Sequence, residues 1–197
     1  MNAVHIFHHN DLDGRIAAAI IYRYFKECRV DITKYLFYEI DYTITLDKEI
    51  YPQDTVVFVD YSFSKKENIE YLMKLIIEKH EIIWIDHHNT SYNLINGVDY
   101  YGVNKLAFEN CRKASNFTYV IDCDHCGTWL TYTWVQNRVM TVTNQTSHSH
   151  LLLICLTILK ILKCTLSSTT NMLLQLLRLT IFCLICQNKM FIQKMMF

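Results

Sequence analysis

Several features that define other classes of protein are missing from this 197-residue sequence. Its first residues, MNAVHIFHHN, have no basic segment followed by a long apolar stretch, so we expect a cytoplasmic protein whose eight cysteines are thiols. Lys or Arg interrupts the apolar runs near the C-terminus, which stay short of the ~20 residues that cross a bilayer, so a membrane anchor is not favoured. Repeats, glycine-rich linkers and coiled-coil heptads are also missing.

Acidic residues are absent from the C-terminal part of the chain. All 19 Asp and Glu lie at or before Asp124, whereas residues 125–197 carry six Lys and Arg, and no glycine follows Gly127. We therefore expect one domain over residues 1–140 and an uncertain tail over 141–197. The tail fits a degenerate or frame-shifted end, or an unrelated helical extension.

Strands and helices alternate over the first 88 residues. Apolar runs predict strands at 4–9, at 35–40, within DTVVFVDYSF (54–63) and within EIIWIDHH (81–88). Helical spacing predicts a helix over 13–28 and another that starts at a capping box formed by Ser64 and Glu67. This alternation predicts an α/β fold with a mainly parallel sheet flanked by helices.

The following segment is harder to interpret. Residues 89–116 are polar and aromatic, and we expect a loop with at most one short helix. Residues 127–135, GTWLTYTWV, favour a helix, although their Thr and Trp content also suits a strand.

Three of the predicted strands end in groups that can bind a metal ion. The first is followed by His8, His9, Asp11 and Asp13, the second of the three by Asp60, and the third by Asp86, His87 and His88. Since the carboxyl ends of parallel strands share one edge of a sheet, we expect these groups to converge. Carboxylates with one or two imidazoles suit Mn²⁺ or Mg²⁺, and a pair of ions ~3.5–4 Å apart activates water for phosphoester hydrolysis.

The first cluster also suggests how a substrate binds. Asp11 and Asp13 are expected at positions i and i+2 of an extended segment, where their side chains point to the same side of the chain. Gly14 would let a ligand approach the backbone, and free N–H groups of a helix starting there would attract a phosphate. Taken singly, Asp11 or Asp13 would more often be a helix N-cap and Asp60 the start of a turn. The coincidence of three clusters favours a metal site.

Four stretches carry a resemblance to a known family. HNDLDG (9–14), VFVDYSF (57–63) and IDHH (85–88) resemble, in order and spacing, the first three motifs of the DHH phosphoesterase family, and CGTWLTYTW (126–134) resembles the helix that follows them. The family contains two-metal phosphohydrolases, most of them manganese-dependent: single-strand exonucleases, nucleases of very short RNA, cyclic dinucleotide phosphodiesterases and inorganic pyrophosphatases.

The resemblance implies a role for each residue of the motifs. The implied metal ligands are His9, Asp11, Asp13, Asp60 and His87, with Asp60 as the bridge and His8 as an alternative to His9. His88 would contact the substrate phosphate together with Gly14 and Arg15, and Asp86 would be a ligand or a support.

The sequence departs from the family pattern at two points. Relatives supply a bridging aspartate after the helix that resembles GTWLTYTW, but here only Asp122 and Asp124 are close to it, both before the helix. No GGGH-like loop of a second, substrate-binding domain is recognisable.

The expected activity is Mn²⁺-dependent hydrolysis of phosphodiester bonds in short single-stranded oligonucleotides or small nucleotides. The chain lacks the concentrated basic face that long nucleic acids require. A catalytically inactive protein that binds metal or nucleotide, and a pyrophosphate or polyphosphate hydrolase, are the alternatives.

Two further interpretations stay open. Cys123-x-x-Cys126 and Cys183-x-x-Cys186 could hold zinc, although accidental spacing is favoured. A cysteine or serine hydrolase with His87 or His125 as base lacks any nucleophile elbow.

Overall fold

The computed structural model describes residues 2–29 and 31–143. Residues 144–197, with the second CxxC pair and most of the uncertain tail, lie outside the described residues. The division into a domain and a tail near residue 140 therefore stays a prediction.

The described chain alternates between strands and helices. In order along the chain the elements are β1 (Asn2–His9), α1 (Leu12–Cys28), β2 (Ile32–Ile40), β3 (Thr55–Val59), α2 (Lys66–Ile77), β4 (Glu81–Asp86), α3 (Asn89–Ile95), α4 (Lys105–Arg112), β5 (Phe117–Ile121) and α5 (Gly127–Thr143).

The five strands form one sheet in the order β2-β1-β3-β4-β5, and every neighbouring pair is parallel. The prediction of an α/β fold with a mainly parallel sheet is confirmed. Because β1, β3 and β4 are neighbours in its centre, their carboxyl ends lie side by side.

Apolar side chains cover both faces of this sheet. Phe7, Phe58 and Trp84 project from three central strands into a core to which α2, α3 and α4 contribute. On the other side, α1 packs against β1 and α5. The three central strands are therefore buried on both faces, which accounts for their nearly continuous apolar sequences.

Three local predictions were wrong, and one strand was missed. The N-cap of α2 is Lys65, which makes no side-chain capping bond, so Ser64 and Glu67 form no capping box. Residues 89–116 contain two short helices, and β5 follows them as an additional strand. Finally, α1 begins at Leu12, so Asp13 lies in its first turn and not in an extended segment.

Candidate metal centre

Two groups of histidine and carboxylate side chains meet at the carboxyl edge of the sheet. His9, Asp11 and Asp60 form one group, and Asp60, Asp86, His87 and His88 form the other. Within each group the possible ligand atoms all lie within 4.8 Å of one another. Asp60 belongs to both groups, so it connects the ends of β1, β3 and β4.

Asp60 is held in an unusual conformation directly after β3. Its N–H donates to Ile85 O of β4 (2.8 Å), and its φ of 56° lies in the left-handed region. Trp84 Nε1 donates to Tyr61 O (2.8 Å) and fixes the chain just beyond it. A Cβ on Gly127 would come within 2.8 Å of Asp60 Oδ1, so glycine is required there for the close approach of α5.

The carboxylate of Asp60 is buried without hydrogen-bond donors. The residue is 1% exposed, and neither oxygen accepts a hydrogen bond from the part of the chain that the structure describes. His87 Nε2 lies 3.0 Å from Oδ1 and forms an ion pair with this carboxylate when the imidazole is protonated. Burial raises the pKa of Asp60 to about 6, against the influence of His87 and with the help of Asp13 and Asp11.

This environment fits a divalent cation. A buried carboxylate that accepts no hydrogen bond is costly, and a cation held by the two groups would offset the charge of Asp60. The surrounding donors are carboxylate oxygens and imidazole nitrogens, a set that suits Mn²⁺ and related ions.

The first motif folds back on itself through Gly14. Asp11 is the N-cap of α1 and accepts from Gly14 N (2.9 Å) at Oδ1, while its Oδ2 lies 3.0 Å from His9 Nδ1. Burial opposes ionisation, but the bonds from Gly14 and His9 outweigh it and lower the pKa of Asp11. The expectation of a free N–H at Gly14 was therefore wrong. A Cβ at this position would lie 2.4 Å from His9 O, so the glycine is needed for backbone packing.

The two adjacent histidines at the end of β1 differ in position. His8 is buried, and its Nδ1 lies 2.8 Å from His9 O, whereas His9 belongs to the first group of possible ligands. Arg15 points to Glu39, with Nη2 2.9 Å from Oε1, and both side chains are about half exposed.

Asp13 connects the site to α5. Its Oδ2 accepts from Gly127 N (2.8 Å) and its Oδ1 accepts from Thr128 N (2.7 Å). His87 Nε2 lies 3.8 Å from Asp13 Oδ2. Asp13 therefore anchors the N-terminus of α5 beside His87, and each of its oxygens keeps a further lone pair.

A chain of polar contacts supports His88. Its Nδ1 lies 2.7 Å from Asp86 Oδ1, and the fully buried Asp86 also accepts a short hydrogen bond from Ser91 Oγ. Tyr42 OH lies 3.1 Å from His88 Nε2. The bond to Asp86 raises the pKa of His88, and the nearby Asp60 carboxylate raises that of His87.

Three residues of this site were missed in the sequence. Tyr42 follows β2, and its proximity depends on β2 pairing with β1. Ser91 lies one turn into α3, and Gly127 begins α5. The helix-like stretch from Gly127 was the one available signal that this segment packs near the site.

Neither suggested substitute for the fourth-motif aspartate lies in the two groups. Asp122 accepts from Asp124 N (2.9 Å), and its Oδ2 lies 2.8 Å from His125 Nδ1. Among the described residues, the groups of possible ligands contain neither Asp122 nor Asp124. Cys123 and Cys126 are free thiols.

No helix among the described residues is both long and apolar enough to cross a membrane. No curated protein matches the chain in sequence. A crystal structure of an uncharacterized protein from Helicobacter pylori G27 is similar over 70% of this chain and 37% of its own, with 18% identity and a TM-score of 0.43. The chain thus spans little more than a third of that protein.

The model of the DHH family, N-terminal domain, matches residues 3–158, which is more than half of the chain. This range contains all three motifs and both groups of possible metal ligands. The family is one of metal-dependent phosphoesterases, in agreement with the donors that meet at the edge of the sheet. The chain belongs to the DHH family.

Proposed function

We propose that this protein is a Mn²⁺-dependent phosphoesterase that hydrolyses phosphodiester bonds in short single-stranded oligonucleotides or small nucleotides. The observation that carries the proposal is the buried carboxylate of Asp60, which accepts no hydrogen bond from the described residues and belongs to both groups of histidine and carboxylate side chains. The first 140 residues would form the catalytic domain.

The motif residues divide into ligands and supports. The residues that would hold the ions are His9, Asp11, Asp13, Asp60 and His87. Asp60 belongs to both groups of possible ligands, and Asp13 to neither. When bound, such ions would supply a water of lowered pKa and positive charge opposite the phosphoryl group. Asp86 stays a ligand or a support: it belongs to the second group of possible ligands, while His88 and Ser91 contact its two oxygens.

His88 is the proposed phosphate contact. With Asp86 as the acceptor at Nδ1, the proton of a neutral His88 lies on that nitrogen, and Nε2 faces the site. Asp86 thereby fixes the orientation of the ring, and protonation at Nε2 would turn it into a donor to a phosphate oxygen. Gly14 and Arg15 contribute less to this proposal, since the Gly14 N–H and the Arg15 guanidinium already have partners.

The charge of the domain supports a short substrate. Residues 1–124 contain all 19 acidic residues and 13 of the 19 Lys and Arg. A net negative domain does not attract a long polyanion, whose affinity depends on many phosphate contacts with Lys and Arg. A substrate with few phosphates, held mainly at the metal site, avoids this repulsion.

The test is hydrolysis of a short single-stranded RNA with Mn²⁺ by the full chain and by Asp60→Asn and His87→Ala. We expect either substitution to lower the rate by roughly a hundredfold or more, since even supports of metal ligands contribute 10–100-fold. Asp54→Asn, at the other end of β3, is the matched control and should keep the activity. An unchanged rate in Asp60→Asn would contradict the site assignment. Faster release of phosphate from pyrophosphate than from RNA would assign a phosphoanhydride substrate instead.

A catalytically inactive metal-binding protein is the second candidate. It is favoured by the absence of acidic residues after Asp124 and by the positions of Asp122 and Asp124 outside both ligand groups. Measurable Mn²⁺ binding without turnover of RNA, nucleotides or pyrophosphate would establish this second candidate.

A further inference from the structure

Tyr42 lies between the two histidine-containing groups of the metal centre. It follows the end of β2 by two residues, and β2 pairs with β1, so it reaches the same edge of the sheet. Its ring stacks on Tyr61 (centroids 5.6 Å apart, 16° between planes) and contacts His9 (5.0 Å) and His88 (6.0 Å). The side chain therefore borders the space in which a substrate phosphate would contact His88.

The hydroxyl of Tyr42 faces the nitrogen that the proposed function assigns to phosphate binding. It lies 3.1 Å from His88 Nε2. A carboxylate only accepts hydrogen bonds, so Asp86 places the proton of a neutral His88 on Nδ1 and leaves a lone pair on Nε2. Tyr42 then donates its O–H to Nε2, and this O–H is free to turn towards another acceptor.

The loop that carries Tyr42 is fixed from both sides. Asp41 Oδ1 accepts from Thr43 N (2.7 Å), and Lys65 Nζ donates to Thr43 O (3.0 Å). The buried Asn68 of α2 donates to Ile44 O (3.0 Å) and to Tyr61 OH (2.8 Å), on whose ring Tyr42 stacks. Helix α2 thus holds the loop and the stacking partner together, and the hydroxyl is positioned before any ligand arrives.

We infer that Tyr42 is a substrate-binding residue, whose hydroxyl donates to an oxygen of the substrate phosphate beside His88. The inference rests on the proposed function, which places the phosphate at His88. A phosphate oxygen beside His88 is a charged acceptor within reach of the same O–H, and the hydroxyl would turn from Nε2 to this stronger acceptor. Arg15, the basic residue next to the first motif, is paired with Glu39, so a neutral hydroxyl supplies a donor that this cation does not.

The test compares full-length Tyr42→Phe with the native chain. The substitution removes only the hydroxyl and keeps the stacking on Tyr61. Tyr22→Phe is the matched control, because its hydroxyl accepts from Lys26 Nζ (3.1 Å) on the exposed side of α1, away from the metal centre. Inorganic phosphate is the probe, and its binding is followed by the rise in Tm in the presence of Mg²⁺.

We expect the phosphate concentration for half-maximal stabilisation to increase about tenfold or more in Tyr42→Phe, since a hydrogen bond to a charged group is lost. The Mg²⁺ midpoint without phosphate should change less than about twofold, and Tyr22→Phe should match the native chain in both titrations. If the native chain turns over RNA, Tyr42→Phe should show a KM that is raised by a larger factor than the factor by which kcat is lowered.

An unchanged phosphate midpoint in Tyr42→Phe would overturn the inference, and so would a metal-loaded native chain that phosphate does not stabilise. A different result tests the proposed activity. A native chain that does not hydrolyse RNA, yet binds phosphate through the Tyr42 hydroxyl, would reject the activity and retain Tyr42 as a phosphate ligand.

Discussion

Asp54 and Asp60 flank the same strand, β3, and are both buried, at 3% and 1% exposed. Asp54 is fully partnered: its Oδ2 lies 3.0 Å from His5 Nε2, and its Oδ1 accepts from Ala3 N (2.7 Å). Asp60 accepts no hydrogen bond from the described residues and sits at a positive φ. A buried carboxylate with hydrogen bonds to both oxygens stabilises a fold, whereas one without hydrogen bonds costs stability and indicates a ligand.

Substitution of each aspartate by asparagine should therefore have opposite effects on the metal-free protein. In chelator at pH 8, we expect Asp60→Asn to increase the free energy of unfolding by roughly 1–4 kcal/mol, because a charge with a raised pKa is removed and asparagine tolerates the left-handed conformation. Asp54→Asn should decrease it by about 1–3 kcal/mol, because a partner of the buried His5 is weakened. Urea unfolding of the native chain and both variants provides the measurement.

The pH dependence of the Asp60 effect follows from its pKa, which is about 6 in the folded protein against an ordinary value of 3.8. Between these values the folded state binds more protons than the unfolded state, so the native metal-free protein loses stability as the pH rises from about 4 to 6. The advantage of Asp60→Asn should grow through this window and be absent below about pH 4. Equal free energies of unfolding for the native chain and Asp60→Asn at pH 8 would show that other groups of the protein compensate the charge of Asp60.

At the scale of the elements, α5 is positioned by a residue from another helix. Asp13 of α1 accepts from Gly127 N and Thr128 N, while Thr128 Oγ1 donates to Asp13 O (3.1 Å). The first turn of a helix leaves backbone N–H groups without partners, and a carboxylate there also interacts favourably with the helix dipole. The Asp13 carboxylate thus caps α5 across a separation of more than a hundred residues.

Asp13→Ala should destabilise the start of α5 by more than the loss of a cap with a single hydrogen bond. We expect a decrease of about 2–4 kcal/mol in the free energy of unfolding, since two hydrogen bonds to a charged group are lost, and faster hydrogen exchange in the first turns of α5. Asn104→Ala is the control, because Asn104 caps α4 through a single bond to Ala107 N (3.0 Å) and should cost about 1 kcal/mol. Unchanged exchange in α5 would mean that packing against α1 alone fixes this helix.

The elements that could be predicted from the sequence are those with a strong apolar pattern. The buried strands β1, β3 and β4 and the helices α1 and α2 have continuous or periodic apolar residues. Strand β5 was missed because it is an edge strand with one buried residue in five, and α3 and α4 because they are short and polar. Ser64 and Glu67 fit a capping box in sequence, but α2 starts later, at Lys66.

The part of the candidate site that could be predicted is the part that follows strands with a strong apolar pattern. Its histidines and aspartates follow strong strands, so the rule for parallel sheets brings them to one edge. Tyr42 and the contact between Asp13 and α5 depend on which strands and helices are neighbours. A single sequence does not contain that information in its periodicity.

At the scale of the whole molecule, the site joins parts of the sheet that are distant in sequence. Motif residues lie at or just after the ends of β1, β3 and β4. Asp60 follows β3, and the side chains grouped with it come from the ends of β1 and β4. An ion bound by all three strand ends would bind only the folded chain, so its binding free energy adds to the free energy of unfolding.

Mn²⁺ should therefore raise the Tm of the native chain, and at a concentration 100 times its Kd we expect a stabilisation of about 2.7 kcal/mol. Asp54→Asn, although less stable without metal, should show the same stabilisation, because its partners lie at the other end of β3. Asp60→Asn, although more stable without metal, should lose most of this stabilisation, since the ligand shared by both groups is gone.

The measurement is a thermal-shift titration of the three proteins with Mn²⁺ after chelation. A full Mn²⁺ response in Asp60→Asn would show that the ion binds elsewhere, and the same loss in Asp54→Asn would show that the response depends on the fold as a whole and not on the carboxyl edge of the sheet.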